Sequence, residues 1–274
     1  MKNILACRPG SYGKYHETAF AHLQKIGVKC VEIGVPKPDE IKKTLDELGR
    51  YCLRATSLQG SFDVTDVQCV AKLKPQIAAT VEMGAKFLFL SVKRGELDKA
   101  AAYARLREAG EIGALYGVTI VMETHPDMIT NADVAIETMR GVNHNNVRVN
   151  FDTANIHYYN EGVDGVAELK KVLGIISPHP SSPSRGEEKG EGVNYVGALH
   201  LKETNGKFKT WFFPAFGEGI VNFKEVFRLL NERKFYGPFT MEIEGVQGEN
   251  LTREQTEERV AKSVEHLRKL GCVE

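Results

Sequence analysis

Four apolar runs between residues 118 and 244 of this 274-residue chain each end in a side chain that can bind a metal ion. These side chains are Glu123, Asp152, His200 and either Glu242 or Glu244. The last two lie on the same side of one run, so spacing alone does not choose between them. A single carboxylate after such a run is usually a helix cap or a solvated charge, but four successive cases are hard to explain by capping. This oxygen-rich set with one nitrogen predicts one divalent ion, which we expect to be Mn²⁺, Mg²⁺, Co²⁺ or Zn²⁺.

Polar residues close to the ends of apolar runs are candidates for contact with a substrate. These candidates are Glu32, His125, Asn155 and Lys202. A salt bridge is an equally good interpretation of Glu32, and a turn cap is nearly as good for His125. Lys202 could instead form a surface ion pair with the neighbouring Glu203, which would contribute little to stability.

A glycine-rich segment precedes the helix predicted near residue 222. Gly217 and Gly219 flank Glu218 in this segment. Two glycines before a helix could let backbone N–H groups approach a phosphate, and we therefore include Gly217 and Glu218 among the candidate substrate contacts. A tight turn with Glu218 near the start of the helix explains the same residues equally well.

Short apolar runs alternate with amphipathic segments along the whole chain. The predicted strands are Asn3–Ala6, Val28–Ile33, Leu53–Leu58, Lys86–Ser91, Val118–Glu123, Val147–Phe151, Val196–Leu201 and Pro238–Ile243. The predicted helices are His16–Ile26, Pro38–Gly49, Val67–Met83, Leu97–Tyr116, one after Asn131, Val163–Leu173, Asn222–Arg233 and Thr252–Leu270.

This alternation is typical of βαβ units with a parallel sheet. Eight such units predict a (β/α)8 TIM barrel, which usually has about 250 residues. A doubly wound open sheet is the main alternative, but it usually has fewer strands, and no Gly-x-Gly-x-x-Gly follows a strand here. In a barrel, the carboxyl ends of the strands meet at one rim, so the candidate ligands would lie together.

Residues 177–194 interrupt the alternation between a predicted helix and the next predicted strand. Val193 is the only apolar residue in this stretch. So polar a segment cannot bury enough surface to offset its ordering entropy. We expect a disordered, exposed insertion at the end of the barrel away from the rim, within a chain that otherwise forms a single domain.

The composition argues against several classes of partner. Lys and Arg total 36, as do Asp and Glu, so the net charge is zero. Nucleic-acid binding and capture by an anionic membrane both favour a basic excess. No apolar run approaches the ~20 residues of a membrane helix. The five scattered cysteines suit reduced thiols, and the N-terminus lacks the apolar stretch of a signal peptide, so we expect a cytoplasmic protein.

The motifs His200–Thr204, Phe216–Phe223 and Tyr236–Glu244 carry a family resemblance. With the Glu, Asp, His, Glu order of the candidate ligands, they resemble the sugar phosphate isomerase/epimerase family of xylose isomerase-like TIM barrels. The resemblance is loose over the whole barrel and close over about residues 196–246, where the chain is most similar to L-xylulose-5-phosphate and L-ribulose-5-phosphate 3-epimerases.

The resemblance implies that Glu123, Asp152, His200 and Glu242 bind the metal, and it selects Glu242 over Glu244. It also implies that Glu123 and Glu242 act as an acid/base pair on opposite faces of the substrate. The implied activity is isomerisation or epimerisation of a ketose or ketose phosphate through a metal-stabilised cis-enediolate. A homodimer is compatible with this family.

Three other functions compete with this interpretation. A keto-sugar or keto-inositol dehydratase would use the same barrel and metal in a lyase reaction. A DNA-repair enzyme of the endonuclease-four type shares the fold, but it needs further histidines for three zinc ions, and this chain has 8 His and no net charge. A binding protein without catalysis would need no metal.

Overall fold

Eight parallel strands close into a barrel whose strand order follows the order of the chain. The computed structural model describes residues 2–175 and 192–274. Its strands are β1 (Leu5–Cys7), β2 (Cys30–Gly34), β3 (Arg54–Gln59), β4 (Phe87–Leu90), β5 (Thr119–Glu123), β6 (Val147–Asp152), β7 (Val196–Leu201), β8 (Phe212–Phe213), β9 (Phe239–Met241) and β10 (Gly245–Val246). The barrel contains all of these except β8 and β10, which pair with each other in an antiparallel sheet. The predicted (β/α)8 barrel is therefore confirmed.

Helices connect the barrel strands and cover the outside of the sheet. They are α1 (Ala19–Lys25), α2 (Ile41–Arg50), α3 (Cys69–Glu82), α4 (Lys99–Leu115), α5 (Ala132–Val142), α6 (Asn155–Tyr158), α7 (Gly165–Val172), α8 (Phe223–Glu232) and α9 (Arg253–Lys269). Side chains cap several of them: Asn131 accepts a hydrogen bond from the amide of Val134, and Thr252 forms a capping box with Gln255. The predicted helices match the observed ones to within a few residues, except at the start of α1.

The start of the first predicted helix is a 3-10 segment, Pro9–Thr18, rather than α-helix. Gly13 has a positive φ of 54° there, which interrupts a regular helix. No sequence pattern predicts α6, β8 or β10, because elements of two to four residues are too short to show periodicity. Both β8 and β10 follow barrel strands and therefore lie near the carboxyl rim.

The barrel strands are buried on both faces. In β4, Phe89 packs inside the barrel against Val121 and Ala198, whereas Leu88 and Leu90 belong to the larger core beneath the helices. This alternation explains why the strands are nearly continuous apolar runs, as expected for a sheet covered by helices. Because both faces of the strands are buried, polar side chains occur mainly at the ends of the strands.

The predicted insertion at 177–194 lies largely outside the described residues, which resume at Gly192. The amide of Gly192 donates to the carbonyl oxygen of Gly174 at 3.1 Å, so the two described ends meet beyond α7 and before β7. The disorder expected for this segment stays a prediction. Within the described ranges, no helix combines the length and apolar character needed to cross a bilayer.

Two helical glycines provide a test of how tightly the helices pack on the barrel. A Cβ atom on Gly113 of α4 would lie 2.6 Å from the carbonyl oxygen of Val118, whereas a Cβ on Gly49 of α2 would meet no atom within 4 Å. Alanine is favoured over glycine within a helix by about 1 kcal/mol. Gly49→Ala should therefore stabilise the protein by about 0.5–1 kcal/mol, and Gly113→Ala should destabilise it by about 1–3 kcal/mol.

Urea unfolding followed by circular dichroism measures both effects as opposite shifts of the midpoint. A Gly113→Ala midpoint at or above that of the unmodified protein would show that Gly113 does not lie as close to the Val118 carbonyl oxygen as described.

Candidate metal centre

Four neighbouring barrel strands bring the predicted ligands to one point. Glu123, Asp152, His200 and Glu242 each offer one ligand atom, and these atoms all lie within 4.8 Å of one another. The residues end β5 and β6, lie within β7 and follow β9. Asp152 and His200 are 0% and 1% exposed. The arrangement can hold a metal ion, and it includes Glu242 rather than Glu244.

Three of these ligand atoms are buried and make no regular hydrogen bond, although Lys202 lies within ion-pair distance of the two carboxylate oxygens among them. They are Asp152 Oδ2, His200 Nδ1 and Glu242 Oε2. The other oxygen of Asp152 accepts hydrogen bonds from the amides of Ala154 and Asn155, both at 2.8 Å, and this fixes the direction of the free oxygen. A buried polar atom without a partner costs about 1–3 kcal/mol. A divalent cation bound by all three atoms would remove this cost, so the donor set fits a metal ion.

Glu32 fixes the orientation of the His200 ring. Its Oε1 lies 3.0 Å from His200 Nε2, and its Oε2 accepts a hydrogen bond from Ser57 Oγ at 2.5 Å. A proton on Nε2 leaves Nδ1 facing Glu242 Oε2, at 3.3 Å. Carboxylates that hold the second nitrogen of a ligating histidine in this way set its tautomer and direction.

The same carboxylates control the charge of His200. Burial lowers the pKa of this histidine, but Glu32 and Glu242 raise it, and the net shift is well above the ordinary value. A metal ion at Nδ1 therefore competes with a proton for that nitrogen.

Lys202 is a buried cation among carboxylates and is only 2% exposed. Its Nζ lies 3.3 Å from Asp152 Oδ2, 2.8 Å from Glu242 Oε2 and 2.7 Å from Glu244 Oε2. Burial lowers the pKa of Lys202, but these carboxylates raise it well above its usual range. The lysine is thus a fixed positive charge. It faces these acids and not the neighbouring Glu203, so the alternative of a surface ion pair with Glu203 is wrong.

Asn155 forms hydrogen bonds with both Lys202 and the candidate ligand Glu123. Its Nδ2 donates to Glu123 Oε1 at 3.4 Å, and its Oδ1 accepts from Lys202 Nζ at 3.3 Å. Burial raises the pKa of Asp152 to about 6, although Lys202 acts in the opposite direction.

Arg8 is a site residue that the sequence analysis missed. Its guanidinium forms an ion pair with Glu242, donates to Gln59 Oε1 at 2.5 Å and lies 5.5 Å from the centre of the Phe89 ring. Arg8 directly follows β1, so it stands at the same rim as the ligands. A charged residue two positions after the first predicted strand, which ends at Ala6, was the signal that could have identified it.

A cavity of about 260 Å³ opens above the ligand group. Glu123, His125, Asn155, Lys202 and Glu242 line it, and all five were predicted site residues. One side is an aromatic wall formed by Tyr158, Trp211 and Phe213, with the Trp211 and Phe213 rings 5.0 Å apart. Phe213 belongs to β8, so the small antiparallel sheet supplies part of this wall.

Three residues predicted to contact the substrate do not line this cavity. Glu32 is behind His200 and 3% exposed. Glu218 is exposed to solvent outside the cavity. Gly217 uses its amide to donate to Glu203 Oε2 at 2.9 Å. Burial raises the pKa of Glu203, although the backbone amides around it act in the opposite direction.

Comparison of the sequence with models of protein families gives the same fold as the structure. The family model of the xylose isomerase-like TIM barrel matches residues 20–270. This chain belongs to that family. The resemblance inferred from the motifs is thereby confirmed at the level of the family. No curated protein matches the chain by sequence.

Several solved structures share the fold at low sequence identity. D-allulose 3-epimerase from Methylomonas sp., in complex with D-allulose, is 20% identical with a TM-score of 0.70, and 98% of each chain is covered. The probable 3-DHS dehydratase AsbF from Bacillus anthracis is 14% identical with a TM-score of 0.67, covering 97% of this chain and 99% of that one. The IOLI protein with a zinc atom is 19% identical with a TM-score of 0.70, covering 97% and 98%.

The contact between Glu32 and His200 predicts a specific loss of metal affinity. Glu32→Gln keeps the shape of the side chain but removes the charge that orients the histidine, so Mn²⁺ should bind about 10–100-fold more weakly. Calorimetric titration of the metal-free protein with Mn²⁺ measures the change. Glu161→Gln, at an exposed glutamate after α6, is the matched control and should bind as the unmodified protein does. Equal affinity for both variants would contradict the orienting role of Glu32.

Proposed function

We propose that this protein is a divalent-metal-dependent isomerase or epimerase that acts on a ketose or ketose phosphate. The observation that best supports this proposal is that the four candidate ligands fall into two pairs with different surroundings. Glu123 and Glu242 line the cavity, whereas Asp152 and His200 are buried beneath it. Two ligands are thus in reach of a substrate, while the other two only complete the metal site.

Mn²⁺, Mg²⁺, Co²⁺ and Zn²⁺ all suit this donor set, and the zinc atom in the IOLI structure is consistent with it. When bound to Glu123, Asp152, His200 and Glu242, such an ion would polarise a substrate carbonyl and stabilise the negative charge that develops beside it.

The positions of Glu123 and Glu242 suit an acid/base pair. They come from β5 and from the end of β9, which β6 and β7 separate around the barrel. A ketose between them would present opposite faces to the two carboxylates. One would take the proton from the carbon next to the carbonyl, and the other would return a proton from the opposite face.

The surroundings of Glu242 keep it in the ionised form that a general base needs, although they also weaken its basicity. Burial raises the pKa of Glu242, but Lys202, His200 and Arg8 lower it well below its ordinary value. Glu242 is therefore ionised at neutral pH. The positive charge of Lys202 is fixed at the same place and could also hold a substrate oxygen.

His125 can bind a substrate hydroxyl group. Its Nδ1 lies 2.7 Å from the carbonyl oxygen of Pro126, to which it can donate, and its ring packs on Tyr159 with 4.7 Å between the centres. This tautomer leaves Nε2 as an acceptor in the cavity wall. The residue thus contributes an acceptor where the lysine contributes a donor.

Removal of either proposed acid/base carboxylate should abolish turnover. Glu123→Gln and Glu242→Gln should each lower the rate of deuterium uptake from D₂O into ketoses by at least about 10²–10⁴-fold, because the proton transfer loses its base and the metal loses a ligand. Mass spectrometry of the sugars measures the uptake, and elemental analysis measures the bound metal. Glu161→Gln serves again as the control. Retention of both turnover and metal by the two variants would contradict the proposal.

A metal-dependent keto-sugar or keto-inositol dehydratase is the second candidate. The likeness to the probable 3-DHS dehydratase AsbF favours it, and proton removal next to a carbonyl begins both reactions. If the protein is an isomerase or epimerase, every product will have the mass of its substrate. A product lighter by one water would instead assign the protein to the lyases.

An endonuclease-four-type DNA-repair enzyme remains a distant alternative. Among the described residues, the metal-binding group contains one histidine, and Glu242 and Glu244 add negative charge to the cavity. A phosphodiester backbone would be repelled by these carboxylates.

A further inference from the structure

We propose that Lys202 competes with the divalent cation for two carboxylate oxygens, and that Glu244 is the positioning residue that draws the lysine away from them. The inference rests on the metal site of the proposed function but not on the reaction that the site catalyses. It assigns a role to Glu244, which is not one of the four candidate ligands.

The ammonium group of Lys202 lies against two of the candidate ligand atoms. Its Nζ is 3.3 Å from Asp152 Oδ2 and 2.8 Å from Glu242 Oε2. The other oxygen of each carboxylate is engaged elsewhere, because Asp152 Oδ1 accepts from two backbone amides and Glu242 Oε1 pairs with Arg8. The lysine and a divalent cation must therefore share the remaining oxygens.

This sharing places two positive charges close together in a buried site. Lys202 is 2% exposed and Asp152 is 0% exposed, so solvent screens the two charges poorly. Coulomb repulsion over a few ångströms is much stronger in such surroundings than in bulk water. Lys202 should therefore weaken the binding of a divalent cation to the ligands.

Glu244 gives the ammonium group a partner that the metal does not need. Its Oε2 lies 2.7 Å from Lys202 Nζ. The Glu244 side chain is 34% exposed at the cavity, whereas Asp152 and Glu242 are buried. The lysine can thus keep an ion pair with Glu244 when a cation takes the two shared oxygens.

Two other residues of the cavity support the lysine on the side of Glu244. Asn155 Oδ1 accepts a hydrogen bond from Lys202 Nζ at 3.3 Å. The centre of the Phe213 ring lies 5.1 Å from the same nitrogen, within the range of a cation–π contact. Neither residue belongs to the candidate ligand group. The ammonium group therefore has three partners that leave the ligand oxygens free.

The backbone fixes Glu244 close to the ligands without placing it among them. Glu244 follows the ligand Glu242 by two residues and directly precedes β10. The pairing of β10 with β8 joins Gly245 to Phe213, so Glu244 and the Phe213 ring are held on the same small sheet. Both partners of the lysine thus come from elements that are separate from the barrel strands.

Titration of the metal-free protein with Mn²⁺ measures the competition. The titration is done by calorimetry in mildly alkaline buffer, where protons compete little for the ligands. Lys202→Met should bind Mn²⁺ at least ~10-fold more tightly than the unmodified protein, because the competing charge is lost. Lys207→Met removes an exposed lysine after β7 and should leave the Kd unchanged. Unchanged or weaker binding by Lys202→Met overturns the competition.

A second variant covers the case in which Lys202→Met does not fold. Lys202→Gln keeps hydrogen-bond donors towards the carboxylates but has no charge, and it should also bind Mn²⁺ more tightly than the unmodified protein. An unchanged Kd for Lys202→Gln overturns the competition in the same way.

Glu244→Gln tests the positioning role. It should weaken Mn²⁺ binding at least ~5-fold, because the ammonium group loses its alternative ion pair. In a Lys202→Met background the same substitution should change the Kd by less than about 2-fold, since no lysine remains to be positioned. Glu161→Gln is the matched control and should have no effect in either background. An equal effect of Glu244→Gln with and without Lys202 would show that Glu244 acts by its charge alone, which overturns the positioning role.

Thermal unfolding gives a readout that does not depend on calorimetry. A ligand that binds only the folded state raises Tm more when it binds more tightly. The rise in Tm caused by a fixed excess of Mn²⁺ should therefore be larger for Lys202→Met and smaller for Glu244→Gln than for the unmodified protein. Equal rises for all three proteins overturn the inference.

Metal binding tests this inference separately from catalysis. If Mn²⁺ binds with the expected pattern but no ketose exchanges deuterium, the proposed reaction is contradicted and the competition is supported. If ketoses react but the Kd does not depend on Lys202, the reaction is supported and the competition is overturned. If the unmodified protein binds no Mn²⁺, both proposals are overturned.

Discussion

The concentration of negative charge at the carboxyl rim of the barrel is the constraint on which the rest of the site depends. Glu123, Asp152 and Glu242 come from different strands and meet within a few ångströms. Buried carboxylates so close together are costly unless cations and hydrogen bonds compensate them. Lys202 and Arg8 provide part of the compensation, and a metal ion at the candidate site would provide more. Metal binding at this rim would therefore also affect the stability of the fold.

The same charges that stabilise the site also prepare its chemistry. Lys202, His200 and Arg8 keep Glu242 ionised in surroundings that would otherwise protonate it. Glu32 holds His200 from the side away from the cavity, so the imidazole cannot turn towards a substrate. The acid/base function proposed for Glu242 thus depends in part on His200 and Glu32, which do not line the cavity, as is typical of preorganised sites.

Sequence reasoning predicted the strands and the ligand group because both depend on local patterns. An apolar run that ends in Glu123 or Asp152 predicts the element and its rim position together. The role of Glu32 depends on which side chain lies across the barrel, and this is set by packing rather than by spacing. The two-residue strands that carry Phe213 have no periodicity to detect. Gly217 was a reasonable phosphate contact by pattern, but its amide is used by Glu203, which lies 14 residues earlier.

Successive side chains after β7 point to opposite sides, and this links the candidate metal centre to the aromatic wall. Lys202 turns into the barrel and meets the carboxylates of the site, and the next residue, Glu203, turns outward and gathers the loop that carries Trp211. Consecutive residues of an extended chain must point to opposite sides. If this segment shifted by one residue, Lys202 would no longer face the carboxylates of the site, and Glu203 would no longer hold the loop. The candidate ligands lie on or directly after strands and the aromatic wall lies largely on loops, as is common in barrel enzymes. Here the neighbouring residues Lys202 and Glu203 connect the two parts: Lys202 contacts the ligand carboxylates, and Glu203 holds the loop that carries Trp211.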